Sequence, residues 1–252
     1  VTDDVSLLVE FTNDKKKLYK ALDSLVKKVK ANEIGRSEQY SALLATLREI
    51  IVGEQRPIII FQTDGDELGR LRVKDKQSQQ EETPSLYQNL IKQYSLEDVY
   101  TTAQKTRTTI YAVIPGVKFI GVPPEKLRDA AELAHKKHLQ ALAEAQPTMY
   151  GAQQTQASDQ YLYSLAQTHL RMQLALAGVT KLTGGWAEHL EQPEQSEGIY
   201  NRIFAGIERR YILSYYPTNA ERDSKLRKVE IKVRNHPEYV VWGKKSYYAE
   251  NR

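Results

Sequence analysis

A run of four apolar residues at positions 58–61, IIIF, constrains the fold of this chain more than any other stretch. Pro57 stands directly before the run, and Gly65 lies in the acidic turn that follows it. An unbroken apolar run of this length between two chain breakers is typical of a strand that is buried on both faces of a parallel sheet. The sequence therefore predicts an internal strand that covers IIIFQ.

Helical patterns alternate with strand patterns around this run. Residues 40–52 and 85–103 have the apolar spacing of amphipathic helices, and residues 108–114 predict a second strand that ends at a Pro-Gly turn. Strands separated by helices imply right-handed crossovers and an open sheet of mostly parallel strands. The predicted fold class is α/β, with an open, mostly parallel sheet flanked by helices.

The N-terminal part combines a predicted strand with a lysine-rich helix. The strand is VSLLVEF at residues 5–11, and the TND that follows it is a turn and helix N-cap signal. Leu18, Leu22 and Leu25 then recur at helical spacing within KKKLYKALDSLVKKVK. Basic amphipathic helices can dock on membranes. The favoured interpretation is an exposed helix on an α/β core, with its lysines in water.

Three regions are expected along the chain. Residues 1–122 form the α/β core, and residues 123–180 form an insertion of long helices interrupted by an aperiodic loop, AQPTMYGAQQTQASDQ. Residues 181–252 hold the last core elements, including a short strand after Gly184-Gly185, and a Tyr-rich extension. In that extension RRYILSYYPTN, KLRKVEIKVRN and YVVWGKKSYY predict three antiparallel strands, because short polar turns join them.

Composition narrows the classes of partner. The chain has 252 residues, a formal net charge of +4 and no cysteine, so disulfides and thiolate metal sites are excluded. Its basic residues alternate with acidic ones and do not form the dense patch of a nucleic-acid surface. No apolar run in the sequence is long enough to span a bilayer. We therefore expect no nucleic-acid partner and no transmembrane segment.

Three carboxylates, Asp64, Asp66 and Glu67, follow the predicted strand IIIFQ. In open α/β sheets ligands bind outside the carboxyl ends of the strands, and carboxylate oxygens suit hard cations. The alternative is an acidic Asp-Gly turn that caps the next element and faces water. Spacing alone favours the turn, because short acidic turns are common.

The order of motifs along the chain resembles a known family. The segments are VSLLVEFTNDKKKLYKAL, GRSEQYSALLATL, RPIIIFQTDGDE, TTIYAVIPG, LTGGWAEHL, IYNRIFAGIERRYILSYYPTNAERDSKLRKVEIKV and WGKKSYYA. In this order they look like the acidobacterial family of von Willebrand factor A (vWA)-related proteins, over nearly the whole chain. The YYPTN strand with RKVEIKV after it, together with the closing SYYA, is the most specific part of the resemblance.

The resemblance implies a Rossmann-like sheet with a metal-ion-dependent adhesion site at its top. In that site a D-x-S-x-S loop, a Thr from a second loop and an Asp from a third hold Mg²⁺ or Mn²⁺, and a partner's carboxylate completes the octahedron. Asp64 falls at the third-loop Asp, and Ser37 falls where the family has its Thr. The implied metal ligands are therefore Asp64 and Ser37, with Asp66 and Glu67 as binding residues beside them.

The chain departs from the family pattern at the first loop. No D-x-S-x-S occurs in the sequence, which begins after the place where the first strand, its helix and the second strand would stand. Ser in place of Thr at position 37 is a further departure. In this topology the absent first strand lies beside IIIFQ, and an apolar strand with an unpaired edge promotes aggregation. We therefore expect another segment to fill the gap.

The expected function is that of a non-enzymatic protein interaction or adhesion module of the vWA type, dependent on a divalent metal if its site is complete. The sequence offers no evident set of nucleophile, base and orienting residue. One alternative is a purely structural accessory subunit of a larger envelope or membrane-associated complex, with a vestigial metal site. A metal-dependent hydrolase is the least favoured. The resemblance also implies a protein partner and export to the periplasm or cell envelope.

Overall fold

The computed structural model describes residues 7–30, 39–50, 56–64, 95–145 and 157–249. The chain divides into two compact units. The first unit comprises Val1–Gln55 and Asp66–Thr106, and the second comprises Arg56–Gly65 and Arg107–Arg252.

The described helices and strands follow one another as α1 (Lys15–Lys30), α2 (Gln39–Ala45), β1 (Ile58–Gln62), α3 (Leu96–Lys105), β2 (Thr109–Pro115), α4 (Leu127–Ala145), α5 (Asp159–Thr183), β3 (Ala187–Leu190), α6 (Ser196–Glu208), β4 (Leu226–Lys228) and β5 (Ser246–Tyr248). A π-helical turn continues α2, and short 3-10 turns precede α4 and α6. None of the helices in the described ranges combines the length and apolarity needed to cross a membrane.

The second unit is built on a parallel sheet of three strands. β2 lies in the middle and runs parallel to β1 on one side and to β3 on the other. Ile60 of β1 lies opposite Tyr111 of β2, and Ala112 of β2 lies opposite Ala187 of β3. The predicted α/β class with a parallel sheet is therefore confirmed, and the strands predicted at 58–62 and 108–114 are found there.

Helix α6 packs on one face of this sheet. Its Ile199 and Ile203 form a buried cluster with Tyr111 and Val113 of β2. Ile60, beside Tyr111 in the register of the sheet, packs against the same cluster. Because side chains alternate between the two faces of a strand, one face of β1 and β2 contacts α6.

The alternate residues of β2 are buried as well. Ile110, Ala112 and Ile114 are each at most 1% exposed, and α5 contacts this strand. At the end of α5 the hydroxyl of Thr183 accepts a hydrogen bond from the N–H of Ile110, with 3.0 Å between nitrogen and oxygen. Helices thus flank the sheet of the second unit, as the sequence predicts.

Two long helices form the region between β2 and β3. Phe119 and Ala131 make a buried cluster with Leu162 and Ala166, which joins α4 to α5. The helical character predicted for residues 123–180 is confirmed in the described part. Residues 146–156, most of the predicted loop, lie outside the described ranges.

A buried glutamine in α5 fixes the segment that follows β2. The Gln173 side chain is 3% exposed. Its Oε1 accepts hydrogen bonds from the N–H of Phe119 (2.8 Å) and of Ile120 (3.2 Å), and its Nε2 donates to the Val117 carbonyl at 2.8 Å. One side chain therefore satisfies three backbone groups that no strand or helix pairs.

The C-terminal extension contains a two-stranded antiparallel sheet, β4 with β5. Arg227 of β4 holds the loop before it by donating to the carbonyls of Asn219 (3.0 Å) and Glu221 (2.8 Å). The first predicted strand of the extension, RRYILSYYPTN, is absent: residues 211–217 have no strand pairing, and Tyr211 is 89% exposed. High strand propensity is not sufficient to form a strand, because a strand also needs a neighbouring segment to which it can hydrogen-bond.

The first unit is helical in its described part. Tyr40, Leu43 and Leu44 of α2 and Val99 of α3 are at most 2% exposed, and α2 contacts α3. A capping box begins α3, in which the Asp98 N–H donates to the Ser95 hydroxyl at 3.2 Å. The helix predicted at 40–52 is confirmed over residues 40–50, and residues 51–52 and 85–94 lie outside the described ranges.

The predicted strand at residues 5–11 is wrong for the residues that the structure describes. Residues 7–11 carry no strand pairing. Leu7 is 60% and Phe11 86% exposed, so neither apolar side chain rests against a sheet.

The prediction that IIIFQ is buried on both faces is also wrong. β1 is an edge strand of the described sheet, its four apolar residues are only half-buried, and Gln62 is exposed. Pro57 accepts from Thr109, and Thr63 donates to Val113, each at 3.1 Å. This ladder turns the backbone groups at 58, 60 and 62 away from β2. Within the described residues nothing pairs with them, and a segment that fills this gap stays a prediction.

Candidate functional site

Asp64 stands at the carboxyl end of β1. The N–H of Thr63 still donates to the Val113 carbonyl at 3.1 Å, so the ladder with β2 continues one residue beyond the strand. Asp64 is the first residue past that hydrogen bond, and its side chain is exposed. The sequence-predicted position at the end of a parallel strand is thus the position observed.

The neighbours of Asp64 are held in place. Thr63 is 6% exposed. Gln62 accepts a hydrogen bond at its Oε1 from the hydroxyl of Tyr200 in α6, at 2.8 Å. The end of β1 is therefore held by a backbone hydrogen bond to β2 and by a side-chain hydrogen bond to α6. These bonds fix the position of the backbone just before Asp64.

The ends of β2 and β3 are tied to each other. Gly116, with φ +101°, leaves β2 and donates its N–H to the Leu190 carbonyl at 3.0 Å. Glu191, directly after β3, accepts a hydrogen bond at Oε1 from the N–H of Lys118 at 3.2 Å. Its own N–H donates to the Gln195 side chain at 2.9 Å. Glu191 therefore braces the loop that follows β2.

Asp64 and Glu191 follow two strands of the sheet that are not neighbours. They follow β1 and β3, which are separated by β2, and two strand spacings amount to roughly 10 Å. We call this edge of the sheet the carboxyl edge and define it as Thr63, Asp64, Gly116 and Glu191.

A desolvated histidine lies beside the carboxyl edge. His189 of β3 has a buried Nδ1 with no hydrogen-bond partner among the described residues. Burial lowers the pKa of His189, and the positive charge of Lys118 lowers it further, against the smaller opposing effects of Glu191 and Glu188. The imidazole is therefore kept neutral under conditions in which an exposed histidine begins to charge.

Glu188 and Arg202 connect β3 to α6. Arg202 donates from Nε (3.1 Å) and Nη2 (2.9 Å) to the two carboxylate oxygens of Glu188. The Trp186 indole N–H adds a third hydrogen bond at 3.1 Å. These bonds, those of Arg202 first, lower the pKa of Glu188 despite its partial burial. The pair is structural, because every oxygen of the carboxylate is already engaged.

The sequence-predicted site residues have different outcomes. Asp64 lies at the expected strand end, whereas Ser37, Asp66 and Glu67 lie outside the described residues. Whether these four come together stays a prediction. The roles of His189 and Glu191 were missed, because the short strand AEHL has no pattern that separates them from surface residues.

Of the predicted metal ligands, Asp64 lies within the described residues. Asp64 supplies an exposed carboxylate of the hard-oxygen type that Mg²⁺ and Mn²⁺ prefer. Among the described ranges no group of three or more His, Asp or Glu side chains is placed to hold an ion. By the chemistry of its side chain, Asp64 therefore fits as one oxygen ligand of such a cation.

Comparisons with known proteins add no relative: no protein-family model, no curated protein and no solved structure matches this chain.

Proposed function

We propose that this chain is a non-enzymatic interaction module of the vWA type, which binds a protein partner at the carboxyl edge of its sheet. The observation that carries the proposal is the position of Asp64. It is exposed, it stands two residues after the end of β1, and its neighbours Gln62 and Thr63 are fixed by hydrogen bonds to α6 and β2. Ligands of open parallel sheets bind at this edge.

A divalent cation, Mg²⁺ or Mn²⁺, belongs to the proposal. Asp64 and Ser37 would hold it, and Asp66 and Glu67 would lie beside it. When bound, the cation would supply an open coordination position for a carboxylate of the partner. Export to the periplasm or cell envelope is the setting proposed for such a module.

Calorimetric titration with Mn²⁺ tests the metal part of the proposal. We expect saturable binding to the unaltered chain and at least a tenfold weaker affinity in Asp64→Asn, because the amide removes the negative charge and one oxygen ligand. Asp129→Asn is the matched control, since Asp129 is an exposed aspartate on α4, and it is expected to bind as the unaltered chain does. Equal affinities in all three proteins would sink the proposed site.

A structural accessory subunit is the second candidate, and the C-terminal extension favours it. Tyr211, Tyr216 and Val240 are 89%, 101% and 77% exposed, and exposed apolar groups of this kind mark contact surfaces. Such a subunit would assemble with its neighbours in the presence of a chelator and with Asp64→Asn. A hydrolase would need carboxylates or histidines that converge on a substrate, and no feature of the described residues favours it.

A further inference from the structure

Helix α1 displays an apolar stripe, Leu18, Leu22 and Leu25, of which Leu18 and Leu22 are exposed and Leu25 is half-buried. Leu18, Tyr19 and Leu22 are 39%, 66% and 56% exposed. In α2 of the same unit, by contrast, Leu43 and Leu44 are 2% and 1% exposed. A helix that belonged to the core would bury such a stripe. The exposure that the sequence predicts for α1 is found, and it extends to the apolar side chains of Leu18, Tyr19 and Leu22.

The start of α1 is fixed by its own sequence. The N–H of Lys16 donates to the Asp14 carboxylate at 2.9 Å, and the N–H of Asp14 donates to the Thr12 hydroxyl at 3.1 Å. Asp14 thus caps the helix and places a negative charge at its positive end. The apolar stripe is carried by a helix that already exists before any partner arrives.

The charge of α1 is strongly one-sided. Its 16 residues include seven lysines and one aspartate, a surplus of six positive charges. Lys15, Lys16, Lys17 and Lys20 are exposed. Within the described part of the chain none of these four makes an ion pair. Lysines at 16, 17 and 20 lie off the line of 18, 22 and 25, because successive helical residues are rotated by about 100°.

We propose that α1 docks on a membrane surface that carries anionic lipid. A preformed helix with an apolar stripe and a lysine-rich remainder lies in the plane of the interface, with the stripe buried among headgroups and upper acyl chains. Tyr19 suits this depth, since aromatic rings with a hydroxyl favour the boundary between lipid and water. The lysines meet the negative surface potential of the leaflet, which attracts basic segments.

A polyanion without an apolar phase fits this surface less well. Nucleic acid or heparin would neutralise the lysines but leave Leu18 and Leu22 in water. A bilayer rich in anionic lipid satisfies the charge and the stripe together. The proposal does not depend on Asp64, so a failure of either site leaves the other testable.

Co-sedimentation with lipid vesicles tests the proposal on the full chain. We expect binding to vesicles of phosphatidylcholine with 30% phosphatidylglycerol, and this binding should weaken at high salt. Little binding to vesicles of phosphatidylcholine alone is expected. Leu22→Asp is expected to weaken partitioning at least tenfold, and Leu22→Gln less. Leu133→Asp is the matched control, because Leu133 is 48% exposed on α4.

Variants of the lysines separate the electrostatic contribution to vesicle binding from that of the apolar stripe. Replacing Lys16, Lys17 and Lys20 together by Gln should weaken binding and flatten its salt dependence, whereas the same change at Lys225, Lys228 and Lys232 of the extension should leave both unchanged. Circular dichroism checks that helix content is kept in each variant. Absence of binding to the anionic vesicles, equal binding of Leu22→Asp or Leu22→Gln, or binding to heparin but not to vesicles would each overturn the proposal.

Discussion

Gln173 concentrates three backbone hydrogen bonds in one buried side chain. Replacing it by Leu keeps the side-chain volume. The carbonyl of Val117 and the N–H groups of Phe119 and Ile120 then lose their hydrogen-bond partner. An unsatisfied buried group costs about 1–3 kcal/mol, so Gln173→Leu is expected to lower the free energy of unfolding by roughly 2–4 kcal/mol. Urea denaturation measures the change.

A glutamine on a neighbouring helix is the control for this variant. Gln140 of α4 is exposed, and its side chain hydrogen-bonds to Glu144 within its own helix. Gln140→Leu is expected to change stability by less than about 0.5 kcal/mol. Similar losses for the two variants would contradict the bridging role of Gln173.

His189 is expected to make stability depend on pH. Its folded-state pKa lies below the ordinary value of 6.5, chiefly because of burial. The unfolded chain therefore binds the proton more readily. The stability that this group contributes is present above pH 6.5 and is lost as the pH falls through the folded pKa. The lowered pKa of Glu188 acts in a more acidic range.

Urea midpoints at pH 7.5 and pH 5.5 are expected to show this loss in the unaltered chain and a smaller one in His189→Gln. His138, which is exposed on α4, provides the control His138→Gln, in which the loss should persist. If His189→Gln declined as steeply as the control, the desolvation of His189 would not be the cause.

At the scale of elements, β1 is expected to show alternating amide protection. The N–H groups of residues 59, 61 and 63 donate to β2, whereas those at 58, 60 and 62 point to the open side of the described sheet. Hydrogen exchange in the chain alone should be at least tenfold slower for the first set than for the second. Uniformly slow exchange would contradict the edge position of β1. Protection of the second set only after another segment is added would support the expected filling of the gap.

Some elements could be predicted from the sequence because the signal is local. The apolar runs IIIF and TIYAVI predict β1 and β2, and the helical spacing of Leu43, Leu44 and Leu47 predicts α2. The stretch RYILSYY has equal strand propensity but is unpaired in the described structure. Pairing depends on a partner distant in sequence, which no local pattern reveals.

The chain presents two proposed binding surfaces, the carboxyl edge with Asp64 and the apolar stripe of α1, and only the first could be predicted from the sequence. Asp64 could be predicted, because a carboxylate after a buried-looking strand of a parallel sheet has few other positions to occupy. The exposure of the α1 stripe could not, since amphipathic spacing is the same whether the apolar side faces a core or a membrane. Asp64 and the apolar stripe of α1 lie in different units of the chain.

The most direct measurement is Mn²⁺-induced broadening of amide resonances in the full chain. If the carboxyl edge binds the cation, the resonances of Thr63 and Asp64 should broaden at substoichiometric Mn²⁺, those of β4 should not, and Asp64→Asn should abolish the effect. Broadening centred on another carboxylate, such as Asp223, or no selective broadening at all would contradict the proposal that Asp64 marks a metal-dependent binding edge.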